Sequence, residues 1–273
     1  MRFIKMEGLG NDYVYLNCFR AAPDDLPQLA RRMSDRHFGV GSDGLICLFP
    51  SKFADFRMAM FNADGSEGAM CGNGIRCAGK LAFDAGLVPH KRMKVETRSG
   101  VKELTLTEEN GEIIGATVNM GVPRISPPLS LADGEGETTI YPVSMGNPHG
   151  VCIVKDVKAL DLTEKGPKLA VNSHFPEGVN VEFIEVAAPD RLRMRVWERG
   201  SGETLACGTG ACAALAVAHS IGLAHRAAVV ALPGGELQLD WAEDGQMYMT
   251  GPARTVFIGE WPEHGTERCK GEK

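Results

Sequence analysis

The sequence predicts an α/β protein made of two pseudo-symmetric domains, each a curved, barrel-like sheet around a central helix. Three observations support this prediction: an internal repeat at half the chain length, segments with strand-like alternation, and two nearly apolar helices at equivalent positions. The 273 residues suffice for one large domain or two modest ones, and a hydrophobic content of 44% is ordinary for a soluble globular protein.

The repeat is clearest around two cysteines. The stretch from Arg57 to Gly74 recurs from Arg193 to Gly210, and an arginine, a methionine, a glutamate, a cysteine and two glycines each return 136 positions later. Gly10-Asn11 before one strand-like run also matches Gly146-Asn147 before another. Several matches at one offset and in one order are hard to obtain by chance, so we infer an internal duplication.

Each half is predicted to contain two helices. The first helix of the N-terminal half spans Pro27 to Phe38 and stops at Gly39, and Pro167 is a plausible start for its counterpart. The second helices cover Ile75 to Ala85 and Ala211 to Ile221, and the latter is apolar nearly all round. Helices of that kind are buried, so we place each one inside a sheet or partial barrel.

Strand patterns mark the limits of the two predicted domains. Alternating segments predict strands at Val101 to Leu106, Ile113 to Val118 and Leu237 to Trp241. The pattern breaks at 118–124, which divides the chain into an N-terminal domain, 1–118, and a C-terminal domain, 119–252. A last strand around Thr255 to Ile258, in a segment of about 253–273, is expected to return to the first domain. The cleft between the domains is the expected active site.

Charge and hydropathy exclude several classes of partner. The net charge of -6 leaves no basic footprint for nucleic acid. No apolar run approaches the roughly 20 residues of a membrane helix, and Met1 to Glu7 carries no secretory signal. We therefore expect a cytoplasmic protein that binds neither nucleic acid nor membrane and keeps its cysteines reduced.

Cys71 and Cys207 each stand directly before a Gly-x-Gly sequence that opens a helix. The partial positive charge of a helix N-terminus is expected to lower the thiol pKa below about 8.5. Unpaired N–H groups there suit a carboxylate or phosphate; they belong to Gly72, Asn73, Gly208 and Thr209. If the carboxylate's α-carbon lies between the sulfurs, one thiolate can remove its proton and the other thiol can return one from the opposite face. The result is stereoinversion without a redox step.

Three other interpretations of the cysteine loops are weaker. A lone cysteine is usually a small buried apolar residue, which is our interpretation of Cys18, for example. Structural zinc sites have tighter spacing than Cys71-x₅-Cys77 and Cys207-x₄-Cys212, so we expect no metal. A nucleotide-binding P-loop needs a Gly-Lys-Ser/Thr ending that neither loop has.

Motifs spread over nearly the whole chain resemble the diaminopimelate epimerase family of cofactor-independent amino-acid epimerases. They are Gly10-Asn11-Asp12, Phe61-Asn62-Ala63-Asp64-Gly65-Ser66, Met70-Cys71-Gly72-Asn73-Gly74, Gly146-Asn147-Pro148-His149, Gly178-Val179-Asn180, Trp197-Glu198-Arg199-Gly200 and Ala206-Cys207-Gly208-Thr209-Gly210. The related proline racemases share the Met-Cys-Gly motif but carry histidine where this chain has Asn73.

The resemblance implies that the protein interconverts LL- and meso-diaminopimelate, a step toward lysine and peptidoglycan, as a homodimer and without a cofactor. It implies that Cys71 and Cys207 are the acid/base pair and that His149 and Glu198 assist the thiols. The implied substrate contacts are Asn11, Asn62, Gly72, Asn73, Asn147, Asn180, Glu198, Arg199, Gly208 and Thr209. Many members carry glutamine where this chain has Gly44, which removes one expected contact to the distal end of the substrate.

The chemistry of these side chains agrees with a substrate that is charged at both ends. Asparagine amides donate and accept, Arg199 can hold a carboxylate in a two-point fork, and Glu198 can pair with an ammonium group. The alternative is a racemase or epimerase of another amino acid, similar to proline racemase, on the same scaffold. Two further alternatives are a non-catalytic zinc- or anion-binding protein and a pyridoxal enzyme. Metal analysis of the purified protein would test the first, and visible absorbance would test the second.

Overall fold

The computed structural model describes residues 1–132 and 136–262, which form a mixed, strand-rich α/β fold. The helices are α1 Leu26–Ser34, α2 Gly72–Asp84, α3 Leu162–Ala170 and α4 Gly208–Ser220. The strands of the N-terminal half are β1 Arg2–Gly8, β2 Asn11–Asn17, β3 Gly44–Phe49, β4 Phe56–Asn62, β5 Glu67–Gly68, β6 Arg92–Thr97, β7 Gly100–Glu109, β8 Glu112–Gly121 and β9 Arg124–Ile125. Those of the C-terminal half are β10 Leu129–Ala132, β11 Glu137–Ser144, β12 Pro148–Ile153, β13 Asn180–Ala188, β14 Arg191–Glu198, β15 Gly202–Thr204, β16 Ala227–Leu232, β17 Gly235–Trp241, β18 Met247–Pro252 and β19 Arg254–Glu260.

The strand pairings of the two halves repeat. β2 pairs parallel with β3 and β3 antiparallel with β4, and the series β12, β13 and β14 does the same. The pairs β4–β6 and β14–β16 are both parallel, and each is followed by an antiparallel three-strand meander. The predicted duplication is therefore confirmed by the topology. The strands expected from the alternating segments lie in β7, β8 and β17.

Two strands cross from one half to the other. β19 follows β18 along the chain but pairs antiparallel with β1, and β9 pairs likewise with β11. β8 and β18 pair with each other and so join the two sheets. β8 also runs through the predicted boundary at 118–119, and the division into two domains stays a prediction. The last strand expected around Thr255 to Ile258 lies in β19, whereas 263–273 are outside the described residues.

α2 and α4 lie inside the curved sheets. α4 is buried from Gly210 to Ala218, because its alanine-rich sequence presents no polar face to water. The largest hydrophobic cluster contains residues of both helices and of both halves. Both helices begin three residues earlier than the sequence predicts, directly after the cysteines. No helix in the described chain has the length and apolar character to cross a membrane.

The limits of the two shorter helices differ from the prediction. α1 ends at Ser34 rather than Phe38, because Asp35 accepts the N–H groups of His37 and Phe38 and forms a turn. The proposed helix start at Pro167 is wrong, since this residue lies inside α3. The side chain of Asp161 caps the N–H groups of Thr163 and Glu164, so the helix starts at Leu162.

Candidate active site

The N-termini of α2 and α4 meet in the middle of the molecule. Cys71 and Cys207 are their N-cap residues, and Gly72 and Gly208 follow. A Cβ atom on Gly208 would lie 3.7 Å from the Cα of Gly72 and 2.9 Å from the Sδ of Met249. Two glycines thus lie at the contact between the helix ends, where both sets of unpaired N–H groups are near one point.

A cavity of about 1000 Å³ opens over these helix ends. The predicted site residues that line it are Asn11, Asn62, Cys71, Gly72, Asn73, Asn147, Glu198, Arg199, Cys207, Gly208 and Thr209. His149 and Asn180 do not line it. The two halves of the chain thus bring nearly all the predicted residues to one place.

Cys71 is held by an amide and by the helix itself. Its thiol donates to Asn11 Oδ1 at 3.2 Å, and its sulfur accepts the N–H of Gly74 at 3.3 Å. Asn11 in turn donates to Asp43 at 2.7 Å, and Arg36 donates to the other oxygen of that carboxylate at 2.9 Å. The resulting chain of contacts fixes the acceptor that faces the Cys71 thiol.

Cys207 has a more acidic neighbourhood. Its sulfur lies 3.6 Å from Thr209 Oγ1, and its side chain does not cap the helix. Burial and the carboxylates of Glu198 and Glu182 raise its pKa well above the ordinary value. Burial also raises the pKa of Glu198, although hydrogen bonds from Thr204 and Cys207 act in the opposite direction.

The expected acidification of the thiols is wrong. Burial raises the pKa of Cys71 too, and this outweighs the N–H groups of Gly74 and Asn73, which lower it. A thiolate loses its hydration at the bottom of the cavity, and a helix N-terminus compensates only part of that loss. Both thiols therefore rest mainly protonated near neutral pH.

A buried pair of hydrogen-bonded side chains, His149 and Glu182, lies behind Cys207. His149 Nδ1 lies 2.7 Å from Glu182 Oε1, and both side chains are fully buried. His149 Nε2 contacts Asn147 Oδ1 at 3.0 Å, and Asn147 donates to Thr209 at 3.3 Å. Both ring nitrogens of His149 are therefore occupied by partners within the protein. His149 thus reaches the cavity through Asn147 and Thr209.

Two asparagines predicted to bind substrate already use their side chains in hydrogen bonds within the protein. The Asn73 side chain is buried, accepts from Arg76 at 3.0 Å and donates to the carbonyl of Ala206 at 3.3 Å. Asn180 Oδ1 accepts the backbone N–H of Arg199 at 2.8 Å. Asn73 is therefore available to a ligand through its backbone, and Asn180 positions Arg199.

Comparison with known proteins identifies the family. The model of the family described as "Diaminopimelate epimerase" matches residues 3–126 and 141–256. A diaminopimelate epimerase from Acetivibrio thermocellus is 48% identical over 276 residues, covering 95% of this chain and 98% of its own. The chain belongs to the diaminopimelate epimerase family.

Solved structures share the fold at low sequence identity. A PhzF-family phenazine biosynthesis protein from Bacillus anthracis has a TM-score of 0.75 and 16% identity, covering 96% of this chain and 99% of its own. A probable proline racemase from Agrobacterium radiobacter K84 has a TM-score of 0.74 and 15% identity, covering 98% and 94%. Proteins with different names therefore share this architecture, and the site residues must carry the argument for function.

The structure leaves no space for a side chain at Gly44. A Cβ atom at this position would lie 2.1 Å from the carbonyl oxygen of Phe61 and 2.9 Å from Cε1 of Tyr13. The local backbone and the Tyr13 ring therefore occupy the space of a side chain. Tyr13 itself lines the cavity.

Sequence reasoning missed several side chains that shape the site. Tyr13, Arg36 and Asp43 line the cavity, and Glu182 lies buried behind it. Glu182 could have been found, because it is a charged residue inside the apolar strand run of β13. Within the described residues, no cluster of three or more His, Cys, Asp or Glu side chains is arranged to hold a metal ion.

Proposed function

We propose that the protein interconverts LL- and meso-2,6-diaminopimelate, with Cys71 and Cys207 alternating as base and acid. The observation that carries this proposal is the contact between the first residues of α2 and α4, which brings both N-cap cysteines to one cavity. Family membership supports the substrate, and the duplicated geometry supports the two-thiol mechanism.

The substrate carboxylate binds at the paired helix ends, to the backbone N–H groups of Gly72, Asn73, Gly208 and Thr209. One cysteine thiolate removes the α-proton, and the electron pair of the broken C–H bond moves into the carboxylate. The helix N-termini stabilise the added negative charge. The second thiol then donates its proton to the opposite face of the carbon and becomes the thiolate. Charge and protons balance, and the reverse reaction exchanges the two roles.

The first thiolate must form against a raised pKa. Glu198 lies within hydrogen-bond reach of Cys207 and has a raised pKa of its own, so it is suited to exchange a proton with that thiol. The contacts of His149 support a positioning role, because it touches Asn147 rather than the cavity. On this basis Glu198 exchanges the proton with Cys207, and His149 positions Asn147, which contacts Thr209.

The cavity favours a substrate with a charged distal end. Asn62 and Arg199 line it in addition to Glu198, so amide, guanidinium and carboxylate groups are all within it. Diaminopimelate carries a second ammonium and carboxylate that match these groups. Proline has no second ammonium or carboxylate group. In the proline-racemase-like alternative, Asn62, Glu198 and Arg199 would have no charged distal end to bind.

Incubation with LL-diaminopimelate in heavy water tests the proposal. Solvent deuterium should enter at one α-carbon as meso product accumulates, without any added cofactor. The matched control is proline under the same conditions, for which no exchange is expected. Absence of meso product from pure, folded protein would contradict the proposed function, and turnover of proline would favour the alternative.

We also propose that the protein is a cytoplasmic homodimer. β19 pairs on one side with β1 and exposes Val256 (55%), Phe257 (44%) and Ile258 (54%). An apolar strand of this kind is a suitable edge for a second copy. Light scattering should give twice the mass of 29.4 kDa. Val256→Lys should weaken the association, and a monomer at micromolar concentration would refute it.

A further inference from the structure

Among residues 1–132 and 136–262, Arg76 is the largest fully buried side chain. It lies in the second turn of α2, and its guanidinium turns back toward the helix N-terminus. It donates to the carbonyl of Gly72 at 3.2 Å, to Asn73 Oδ1 at 3.0 Å and to the carbonyl of Pro252 at 3.0 Å. Each of these acceptors is neutral.

The charge of Arg76 has no ion-pair partner within residues 1–132 and 136–262, since no carboxylate oxygen there is within 4.0 Å of its nitrogens. An unpaired charge in a protein interior is costly. The backbone nevertheless makes space for it: a Cβ on Gly8 would lie 3.1 Å from Nη2, and one on Gly251 would lie 2.9 Å from Cζ. A guanidinium also keeps its proton in such surroundings. The fold therefore holds a fixed positive charge at this place.

The surroundings connect this charge to both helix ends. Asn73, which Arg76 holds, donates to the carbonyl of Ala206, the residue before Cys207. The position equivalent to Arg76 in the second half is Cys212, which is also fully buried. The guanidinium therefore lies beneath the N-terminus of α2 and is linked through Asn73 to the residue before Cys207 at the start of α4. Burial raises the pKa of Cys71 and of Cys212, and the positive charge of Arg76 opposes both shifts.

We propose that Arg76 is a positioning residue whose fixed positive charge attracts the substrate carboxylate to the paired helix N-termini and stabilises the negative charge that develops there. The role in turnover rests on the proposed epimerase function. On the cavity side the carboxylate accepts hydrogen bonds from the backbone N–H groups. On the opposite side it interacts electrostatically with the buried guanidinium. Arg76 does not line the cavity, so its effect is electrostatic and passes through Gly72 and Asn73.

Two substitutions separate charge from hydrogen bonding. Arg76→Lys keeps the charge with fewer donors, and Arg76→Gln keeps a polar group without the charge. We expect kcat/KM to fall about 100-fold in the Gln variant and about tenfold or less in the Lys variant, mostly through kcat. Cys212→Ala is the matched control at the equivalent buried position and should keep near-normal turnover. Equal activities of the Lys and Gln variants would overturn the proposal.

A second measurement needs no turnover. Iodoacetamide labelling of Cys71, followed by mass spectrometry of its peptide, reports the thiolate fraction at each pH. The labelling curve should move to higher pH in Arg76→Gln, because the charge that favours the Cys71 thiolate is gone. An unmoved curve in folded Arg76→Gln would refute the electrostatic role, even if the protein does not epimerise diaminopimelate. Failure of the heavy-water assay with wild type would refute the epimerase function alone.

If Arg76→Gln does not fold, Arg76→Lys carries the test. A buried ammonium loses its proton far more readily than a guanidinium. The activity of the Lys variant relative to wild type should therefore fall as pH rises from about 7 to 9. A ratio that stays constant over this range would contradict the proposal, because the charge would then have no influence on the reaction.

Discussion

The two cysteine sites share a backbone and differ in charge. Gly74 and Gly210 occupy equivalent positions in α2 and α4. A Cβ on Gly74 would lie 2.6 Å from Cδ1 of Ile46, whereas one on Gly210 would lie 2.5 Å from Oε1 of Glu182. The same pocket under the helix start thus holds a methyl group in one half and a carboxylate in the other.

The neighbouring positions continue this contrast. Tyr13 in the first half corresponds to His149 in the second, and Asn62 corresponds to Glu198. Arg76 has no charged counterpart, because Cys212 takes its place. The duplication therefore sets where the two thiols lie, and later substitutions set the electrostatic field around each of them. A reaction that uses one thiolate and one thiol at a time needs both thiols at one substrate carbon.

Removing either thiol is the strongest test of the comparison. Cys71→Ala and Cys207→Ala should each lower kcat/KM by about 10⁴-fold or more, because neither half can supply both proton transfers. The serine variants should also retain little activity, since a hydroxyl is a much poorer base. Steady-state epimerisation assays measure this. Near-normal turnover in one alanine variant would show that the two sites are not partners.

The buried pair in the second half should dominate its stability. Glu182→Leu leaves His149 without its acceptor and should lower the free energy of unfolding by about 3 kcal/mol. Ile46→Val, at the equivalent position, is the control and should cost about 1 kcal/mol. Urea unfolding measures both changes. Equal effects would mean that the His149–Glu182 contact contributes no more than apolar packing.

The carboxylate beside Cys207 should make the two thiols titrate differently. Glu198 raises the pKa of Cys207, so Glu198→Gln should lower this pKa, increase the thiolate fraction of Cys207 at pH 8 and speed its alkylation. The effect on Cys71 should be smaller, because Glu198 is a lesser cause of its shift. Asn62→Ala at the equivalent position should leave the Cys207 curve unchanged. A slower reaction of Cys207 in Glu198→Gln would contradict this electrostatic account.

At the C-terminal ends of α2 and α4, equivalent substitutions in the two halves should have equal effects on stability. Gly86 and Gly222 follow α2 and α4 with φ of +67° and +77°, and a Cβ on either would meet no atom within 4 Å. Alanine at either position should cost about 1 kcal/mol from backbone strain alone. Thermal unfolding of the two variants measures this. Clearly unequal values would show that the duplicated backbone is not equivalent there.

Much of this comparison could be predicted from the sequence. The Gly-x-Gly sequences place Cys71 and Cys207 close to the start of two buried helices, although the apolar pattern sets the first helical residue three positions too late. The helix limits at Ser34 and Leu162 could not be predicted so well. There a single aspartate at each place, Asp35 or Asp161, competes with the pattern through local hydrogen bonds.

The electrostatics of the site was harder to predict. Whether burial or a helix N-terminus controls the pKa of Cys71 depends on how deeply the thiol lies, which spacing does not reveal. The partners of Arg76 and Glu182 come from distant parts of the chain, such as Pro252 and His149. A charge inside an apolar run is nevertheless a visible signal, and both residues carry it.

The crossing of β9 and β19 bears on how such a chain could arise. A half-length ancestor would have had no strand of its own to close its sheet, so two identical chains would have exchanged them. In that symmetric pair every mutation would have appeared beside both sulfurs at once. A single polypeptide that contains both copies lacks this constraint, because equivalent positions can change independently. Only in such a chain could a guanidinium be kept on one side and carboxylates on the other.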